Sequence, residues 1–219
     1  MATSPLLRPQ EYMFLTCHLD NEDACPQPAT PLTMGQYLSF RDAISFARRA
    51  HHGQRRLDGR SFLSHPLAVL QILRTASQDL PQEAYFAGLL HDTVEDGKAR
   101  LVDIHAKFGE NVAIAVDVLT RPKRNRKTRA CDHEEAYLAR MIRANTNLPW
   151  ILLIKMADRL HNLETAQFLP AEKRAFLFEE TAELYLPVFL REAVKQEQFS
   201  DAYDFLSSLL QNSIRQRRT

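Results

Sequence analysis

Glycine is scarce in this sequence. The 219 residues include six, and none follows Gly109, so the second half lacks the residue that most readily takes positive φ in tight turns. No G-x-G-x-x-G and no G-x-x-x-x-G-K-[ST] occurs, so dinucleotide-binding and P-loop sites are unsupported. Cysteine is scarcer still. Cys17, Cys25 and Cys131 form an odd set without a C-x-x-C, which supports neither a disulfide framework nor a zinc knuckle. A net excess of either charge is also missing. The 28 Lys+Arg against 27 Asp+Glu leave a net +1, without the basic excess of a general nucleic-acid binder. No apolar run approaches the roughly 20 residues of a membrane span, and MATSPLLRPQ has no secretory apolar core. A soluble, cytoplasmic protein is expected, with neither membrane nor nucleic acid as partner.

What is present points to helices. A hydrophobic fraction of 45% is enough for a core, and the length suits one domain with modest extensions. Leu, Ala, Glu and Arg abound while β-branched runs are few, which predicts an all-α fold. Residues 1–33 read as a weakly ordered extension, because Pro9, Pro26, Pro28, Pro31 and the acidic Asp20-Asn21-Glu22-Asp23 break any periodicity. The helical domain is expected over 34–198, with a C-terminal helix and basic tail over 199–219. Apolar spacing predicts helices from Met34, from Pro66, and from Pro81 through Val94. Further helices are expected over about 100–107, then through Val112 to Leu119, over 134–145, from Trp150, over 171–197 and over 199–214. Gly53–Ser64 and the basic stretch Arg121–Arg129 read as loops.

Four segments carry candidate chemistry: Arg55-Arg56, His65-Pro66, His91-Asp92-Thr93-Val94-Glu95-Asp96, and Lys155-Met-Ala-Asp158-Arg-Leu-His161-Asn162. On a helix His91 would share a face with Glu95, and Asp92 with Asp96. Asp158 sits in an otherwise apolar run, where a carboxylate is costly to bury without a partner. The economical partner is a metal ion. Two imidazoles and two carboxylates suit Mn²⁺, Fe²⁺ or Zn²⁺ better than Ca²⁺, and such an ion activates water near neutral pH. Glu95 and Asp96 could then orient that water or move its proton. Each piece has a plainer reading: His65 as a turn cap, Asp158 as an ion pair with Arg159. Their joint order is much rarer than any one of them.

That order resembles the HD phosphohydrolase superfamily. More closely, Ala50-His-His-Gly-Gln-Arg-Arg56, Phe62-Leu-Ser-His65-Pro66, Gly88-Leu-Leu-His-Asp-Thr-Val-Glu-Asp96, Leu153 through Asn162, Phe108-Gly109 and Glu180 through Pro187 are similar to the hydrolase domain of RelA/SpoT homologues. The match covers about 40–190 in order and spacing, and leaves no room for a synthetase domain, so the chain resembles a stand-alone small alarmone hydrolase. The resemblance implies Mn²⁺-dependent removal of the 3′-pyrophosphate from (p)ppGpp, a phosphoric diester hydrolysis that degrades a stringent-response signal. It implies His65, His91, Asp92 and Asp158 as metal ligands and Glu95 with Asp96 as the catalytic acidic pair. Arg56, Lys123, Asn162 and Thr165 are implied in binding guanosine tetra- or pentaphosphate.

Electrostatics agrees with a cation-lined counterpart. Asp92, Glu95, Asp96 and Asp158 carry more negative charge than one divalent ion offsets, so a polyanionic substrate needs cations opposite them. Three positions depart from the family pattern: Leu57 for a lysine, Gly97 for a threonine, and Glu164 for an arginine. Two other readings therefore remain: action on another nucleotide, such as (p)ppApp or NADPH, and a non-catalytic alarmone-binding module. His51, His52, His105, His133 and His161 read as packing or surface histidines. A homo-oligomer is allowed by the sequence without being required by it.

Overall fold

The computed structural model describes residues 34–123 and 129–217, with side chains from Ser39 onward. The expected 1–33 extension and residues 124–128 of the basic loop lie outside the described residues. The chain divides into two compact units, Met1–Ile44 and Ser45–Thr219, and the boundary falls inside the first described helix, α1 (Met34–Ala50). Every candidate site residue belongs to the second unit.

The fold is all-α. After α1 come α2 (Ser64–Ala76), α3 (Gln82–Leu90), α4 (Leu101–Phe108), α5 (Glu110–Leu119), α6 (Ala130–Asn145) and α7 (Ile151–Glu164). A 3₁₀ turn (Ala166–Phe168) leads to α8 (Ala171–Glu180), a π-helical turn (Thr181–Tyr185), α9 (Leu186–Ala193) and α10 (Ser200–Gln216). Among the described residues the only sheet-like pairing is one bridge, Arg55 with Ser61, within the loop before α2. No described helix is long and apolar enough to cross a membrane.

α7 is the axis of the core. Ile151, Leu152, Leu153, Ile154, Met156, Ala157 and Leu160 are all buried, and the helix packs along α10 and α2, with α6 and α3 also against it. Its first turn is fastened from the end of α6: the Leu152 amide donates to Asn145 Oδ1 at 3.2 Å, and Asn145 Nδ2 donates to the Tyr203 hydroxyl at 3.0 Å. The apolar run from Trp150 thus becomes a helix whose exposed amides are partly satisfied by its neighbour. Gly109, at φ +90°, separates α4 from α5 where a side chain would be strained.

Two helix expectations need correction. The helix from Pro81 does not reach Val94; it stops at Leu90, and residues 91–96 form consecutive turns. Thr93 supplies the reason, since its amide and its hydroxyl both donate to the Leu90 carbonyl, at 3.0 and 2.7 Å. This side-chain competition tightens the backbone out of the α-helical ladder. The Asp96 and Gly97 amides then both reach the Asp92 carbonyl, at 2.9 and 3.2 Å. A Cβ on Gly97 would lie 2.3 Å from the Thr93 oxygen, so this folded-back turn excludes the threonine of the family pattern.

The second correction concerns 171–197. The helix is interrupted at Thr181–Tyr185, where the Leu186 amide reaches back to the Thr181 carbonyl in a π-type bond. Pro187 accounts for it: the ring offers no N–H and crowds the carbonyl four residues earlier.

Candidate metal centre and adjoining pocket

Three elements bring the predicted ligands together. His65 is the second residue of α2, in an entry turn closed by the Ser64 hydroxyl on the Ser61 carbonyl at 2.8 Å. His91 caps the end of α3, Asp92 follows it in the first turn, and Asp158 projects from α7. One ligand atom each from His65, His91 and Asp158 lie within 4.8 Å of one another, and all three residues are buried. Asp92 joins them: its Oδ2 is 3.3 Å from His65 Nε2 and its Oδ1 is 3.1 Å from His91 Nε2. Asp158 Oδ1 stands 3.2 Å from His65 Nε2 and 3.8 Å from His91 Nε2.

The proton arrangement tests whether a cation fits. His91 Nδ1 lies 2.8 Å from the Gly88 carbonyl, which can only accept, so Nδ1 carries a proton. In the neutral ring Nε2 then presents a lone pair, buried and without a hydrogen-bond partner, toward two carboxylates. Lone pairs facing lone pairs in a buried space are stable only around a cation. Without a metal, that cation is a proton. Although burial alone would lower the His91 pKa, Asp92 and Asp158 hold it well above the usual histidine range. Asp92 and Asp158 are driven the other way. Their burial is outweighed by His91 beside Asp92 and by Lys155 beside Asp158, which keep both carboxyls well below the usual range. The donor set therefore suits a divalent ion with mixed N/O preference.

Asp158 and His65 are also held from behind. Asp158 Oδ2 accepts from Lys155 Nζ at 2.9 Å, and its Oδ1 accepts from Asn162 Nδ2 at 2.7 Å. The plainer reading of Asp158 as an ion pair with Arg159 does not hold, because Arg159 turns to Glu180 and stacks over the Tyr185 ring. His65 Nδ1 lies 2.7 Å from His161 Nδ1. From sequence alone His161 reads as a packing histidine. Burial, with the charges of His65 and Arg56 beyond it, pushes its pKa down to about 3.

Glu95 and Asp96 stand at the open side of this cluster, both exposed. Glu95 Oε2 accepts the Arg121 amide at 2.6 Å, and the Asp96 carbonyl accepts from Gln54 Nε2 at 2.6 Å. Gln54 is itself oriented by His51 Nδ1 at 2.8 Å, so His51 and Gln54 support the acidic turn, a role the sequence reading missed. Desolvation in the cleft, with the Asp92 charge added, pushes both acidic pKa values upward even though both side chains reach solvent.

A cavity of about 330 Å³ adjoins the cluster, lined by Arg56, Asn162 and Thr165 and by an apolar wall that includes Leu57, Phe62, Phe168 and Leu177. Arg56 Nη2 donates to Thr165 Oγ1 at 3.2 Å and to Asn162 Oδ1 at 3.4 Å. Asn162 thereby touches both pocket and metal ligand. Lys123 is exposed and does not line the cavity. Arg121 meets the acidic turn through its backbone amide on Glu95, while its guanidinium is held by Glu134 at 3.1 Å.

Comparison with known proteins agrees with this geometry. Residues 43–194 match the HD-domain family model. The chain is 37% identical over 162 residues to the bifunctional (p)ppGpp synthase/hydrolase SpoT of Escherichia coli, covering 73% of this chain and 22% of that protein. It is 36% identical over 154 residues to a guanosine-3′,5′-bis(diphosphate) 3′-pyrophosphohydrolase of Haemophilus influenzae, covering 69% and 22%. A GTP pyrophosphokinase of Streptomyces coelicolor is 39% identical over 146 residues, covering 67% and 17%. This chain thus spans about a fifth of the length of these curated relatives. The solved structure of a metazoan SpoT orthologue, described as hydrolysing ppGpp, shares the fold with a TM-score of 0.62 and 22% identity, covering 86% of this chain and 98% of that one. With its His65, His91-Asp92 and Asp158 in place, the chain belongs to the HD-domain family.

Proposed function

We propose that this chain is a Mn²⁺-dependent hydrolase that removes the 3′-pyrophosphate of (p)ppGpp, yielding GDP or GTP and pyrophosphate. The observation that carries the reading is the convergence of two buried imidazoles, the buried Asp158 and the part-exposed Asp92 beside a pocket of nucleoside size. The names of the relatives include both synthesis and hydrolysis of such nucleotides. The HD-domain match and the ligand cluster favour hydrolysis.

His65, His91, Asp92 and Asp158 would hold the ion. When bound, it supplies Lewis-acid activation of water and of a phosphoryl oxygen. Glu95 has one oxygen committed to the Arg121 amide, which leaves the other to orient the attacking water and take its proton. Asp96, fixed through its carbonyl by Gln54, shares that task. Upward-shifted carboxyls are suited to it, because a proton accepted near neutral pH is then held less weakly. Arg56, Asn162 and Thr165 would bind the nucleoside, with Lys123 offering charge to the phosphates from the solvent side. The active body would be 34–198, working in the cytoplasm on free nucleotide, without nucleic acid or membrane.

One observation favours a second reading. Leu57 lines the cavity while 70% exposed, and it offers no cation to a base or phosphate. Action on (p)ppApp or NADPH follows if guanosine selectivity depends on a cation there. A non-catalytic binder is disfavoured, since Glu95 and Asp96 add repulsion toward phosphate that binding alone does not need. The test is a panel of ppGpp, ppApp and NADPH with product identification. Fastest turnover of ppGpp, with pyrophosphate released, supports the proposal; fastest turnover of either other nucleotide replaces the substrate.

A further inference from the structure

We propose that His161 is a positioning residue that accepts a hydrogen bond from His65 and thereby fixes His65 as a metal ligand through Nε2. The inference rests on the metal reading above. His65 is gripped at both ring nitrogens by one helix: Asp158 Oδ1 lies 3.2 Å from Nε2, and His161 Nδ1 lies 2.7 Å from Nδ1. Asp158 and His161 are three residues apart on α7, so they share a face and meet the same ring from two sides. Both histidines are buried, at 1% and 6% exposure, and their ring centroids are 4.9 Å apart.

At 2.7 Å the two Nδ1 atoms share one proton; two protons would collide and two lone pairs would repel. If His161 donates, a neutral His65 carries its proton on Nε2, where it occupies the position facing Asp92 and Asp158. No lone pair is then available to an ion. If His65 donates, its Nε2 lone pair joins that of His91 in the cluster. Metal loading therefore requires the second arrangement, with His161 as acceptor. His91 obtains the same tautomer from a backbone carbonyl, that of Gly88. The two histidine ligands are thus set by two different acceptors, one from the backbone and one from a side chain. Metal-bound histidines characteristically need such an outer partner.

The test compares metal-stripped wild type, His161→Leu and His161→Asn by calorimetric titration with Mn²⁺. Leucine fills the space without an acceptor, whereas asparagine places Oδ1 where the Nδ1 atom stood. His161→Leu is expected to lose roughly 10–100-fold in affinity, with His161→Asn recovering most of it. Unfolding of the metal-free variants reports whether each is folded. Independently, ¹⁵N-histidine spectra of wild type loaded with diamagnetic Zn²⁺ should show His65 protonated at Nδ1 and bound through Nε2. Equal affinity in all three proteins, equal loss in both variants, or a metal-bound His65 with an unprotonated Nδ1 would overturn the inference. A wild type that binds no divalent ion would instead remove the metal reading on which it rests.

Discussion

The metal cluster and the pocket beside it are built in opposite ways. His65, His91 and Asp158 are buried, come from three elements, and are each held from behind by Lys155, Asn162, His161 or the Gly88 carbonyl. The pocket instead displays Leu57 at 70% exposure and Phe168 at 47%, with Arg56 partly exposed. Interior packing fixes the first region, and changing one residue there disturbs several partners. More exposed side chains shape the second. Reaction chemistry and substrate choice can therefore change separately in this fold, with Asn162 as the link between them.

Disabling the acidic pair should sharpen that contrast most. Glu95→Gln with Asp96→Asn should lower kcat by roughly 10²–10⁴-fold, while nucleotide affinity, read by equilibrium dialysis, stays largely intact. Undiminished turnover would remove both residues from the mechanism.

Next in size is the effect of metal on stability. At a Mn²⁺ concentration near 100 times Kd, Tm should rise by about 5–10 °C, and Asp158→Ala should abolish the rise. The gain should also grow with pH. His91 has a raised folded-state pKa, so its ion pairing stabilises the metal-free protein fully below the unfolded value near 6.5 and is lost as pH rises through the folded value. The ion competes with that proton, so its advantage increases as the proton leaves. The depressed carboxyls of Asp92 and Asp158 contribute above the unfolded carboxylate range and lose their contribution only in strong acid. A metal-induced Tm gain that is flat across neutral pH would contradict the assigned proton.

Changes in the pocket should be smaller and confined to KM. Phe168→Ala should raise KM about fivefold, the low end of the range for an aromatic face against a base, with kcat unchanged. Leu57→Lys should be smaller still: an exposed charge is worth up to about 1 kcal/mol, so KM for ppGpp should fall by about fivefold or less. If Leu57→Lys altered kcat as strongly as the acidic-pair variant, the separation between the two regions would be wrong.

The convergence of His65, His91, Asp92 and Asp158 was legible because its chemistry resides in residue type and order. A histidine before a proline, a His-Asp pair and an aspartate in an apolar helix are all visible without coordinates. The helices followed from apolar spacing, and Gly109 and Pro187 left physical marks on the backbone. What escaped depended on side chains competing with the backbone or meeting across the fold. Nothing in the spacing of 82–97 reveals that the Thr93 hydroxyl would take the Leu90 carbonyl and end the helix. His161 looked like a core histidine, yet its place three residues after Asp158 was a signal available from helical geometry alone. Gln54 and His51 bear on Asp96 from more than 40 positions away, a relation that sequence periodicity does not encode. The tie between the Arg121 backbone amide and Glu95 is likewise invisible in the sequence, because any residue at 121 could make it.

If the cluster of His65, His91, Asp92 and Asp158 holds an ion required for cleavage of the 3′-pyrophosphate, removing the ion must stop the reaction. The most direct test follows ppGpp with purified protein, first stripped by chelator and then resupplied with Mn²⁺. The expected result is no turnover when stripped, and stoichiometric GDP and pyrophosphate on resupply. Equal turnover in both conditions, or none with Mn²⁺ demonstrably bound, would contradict it.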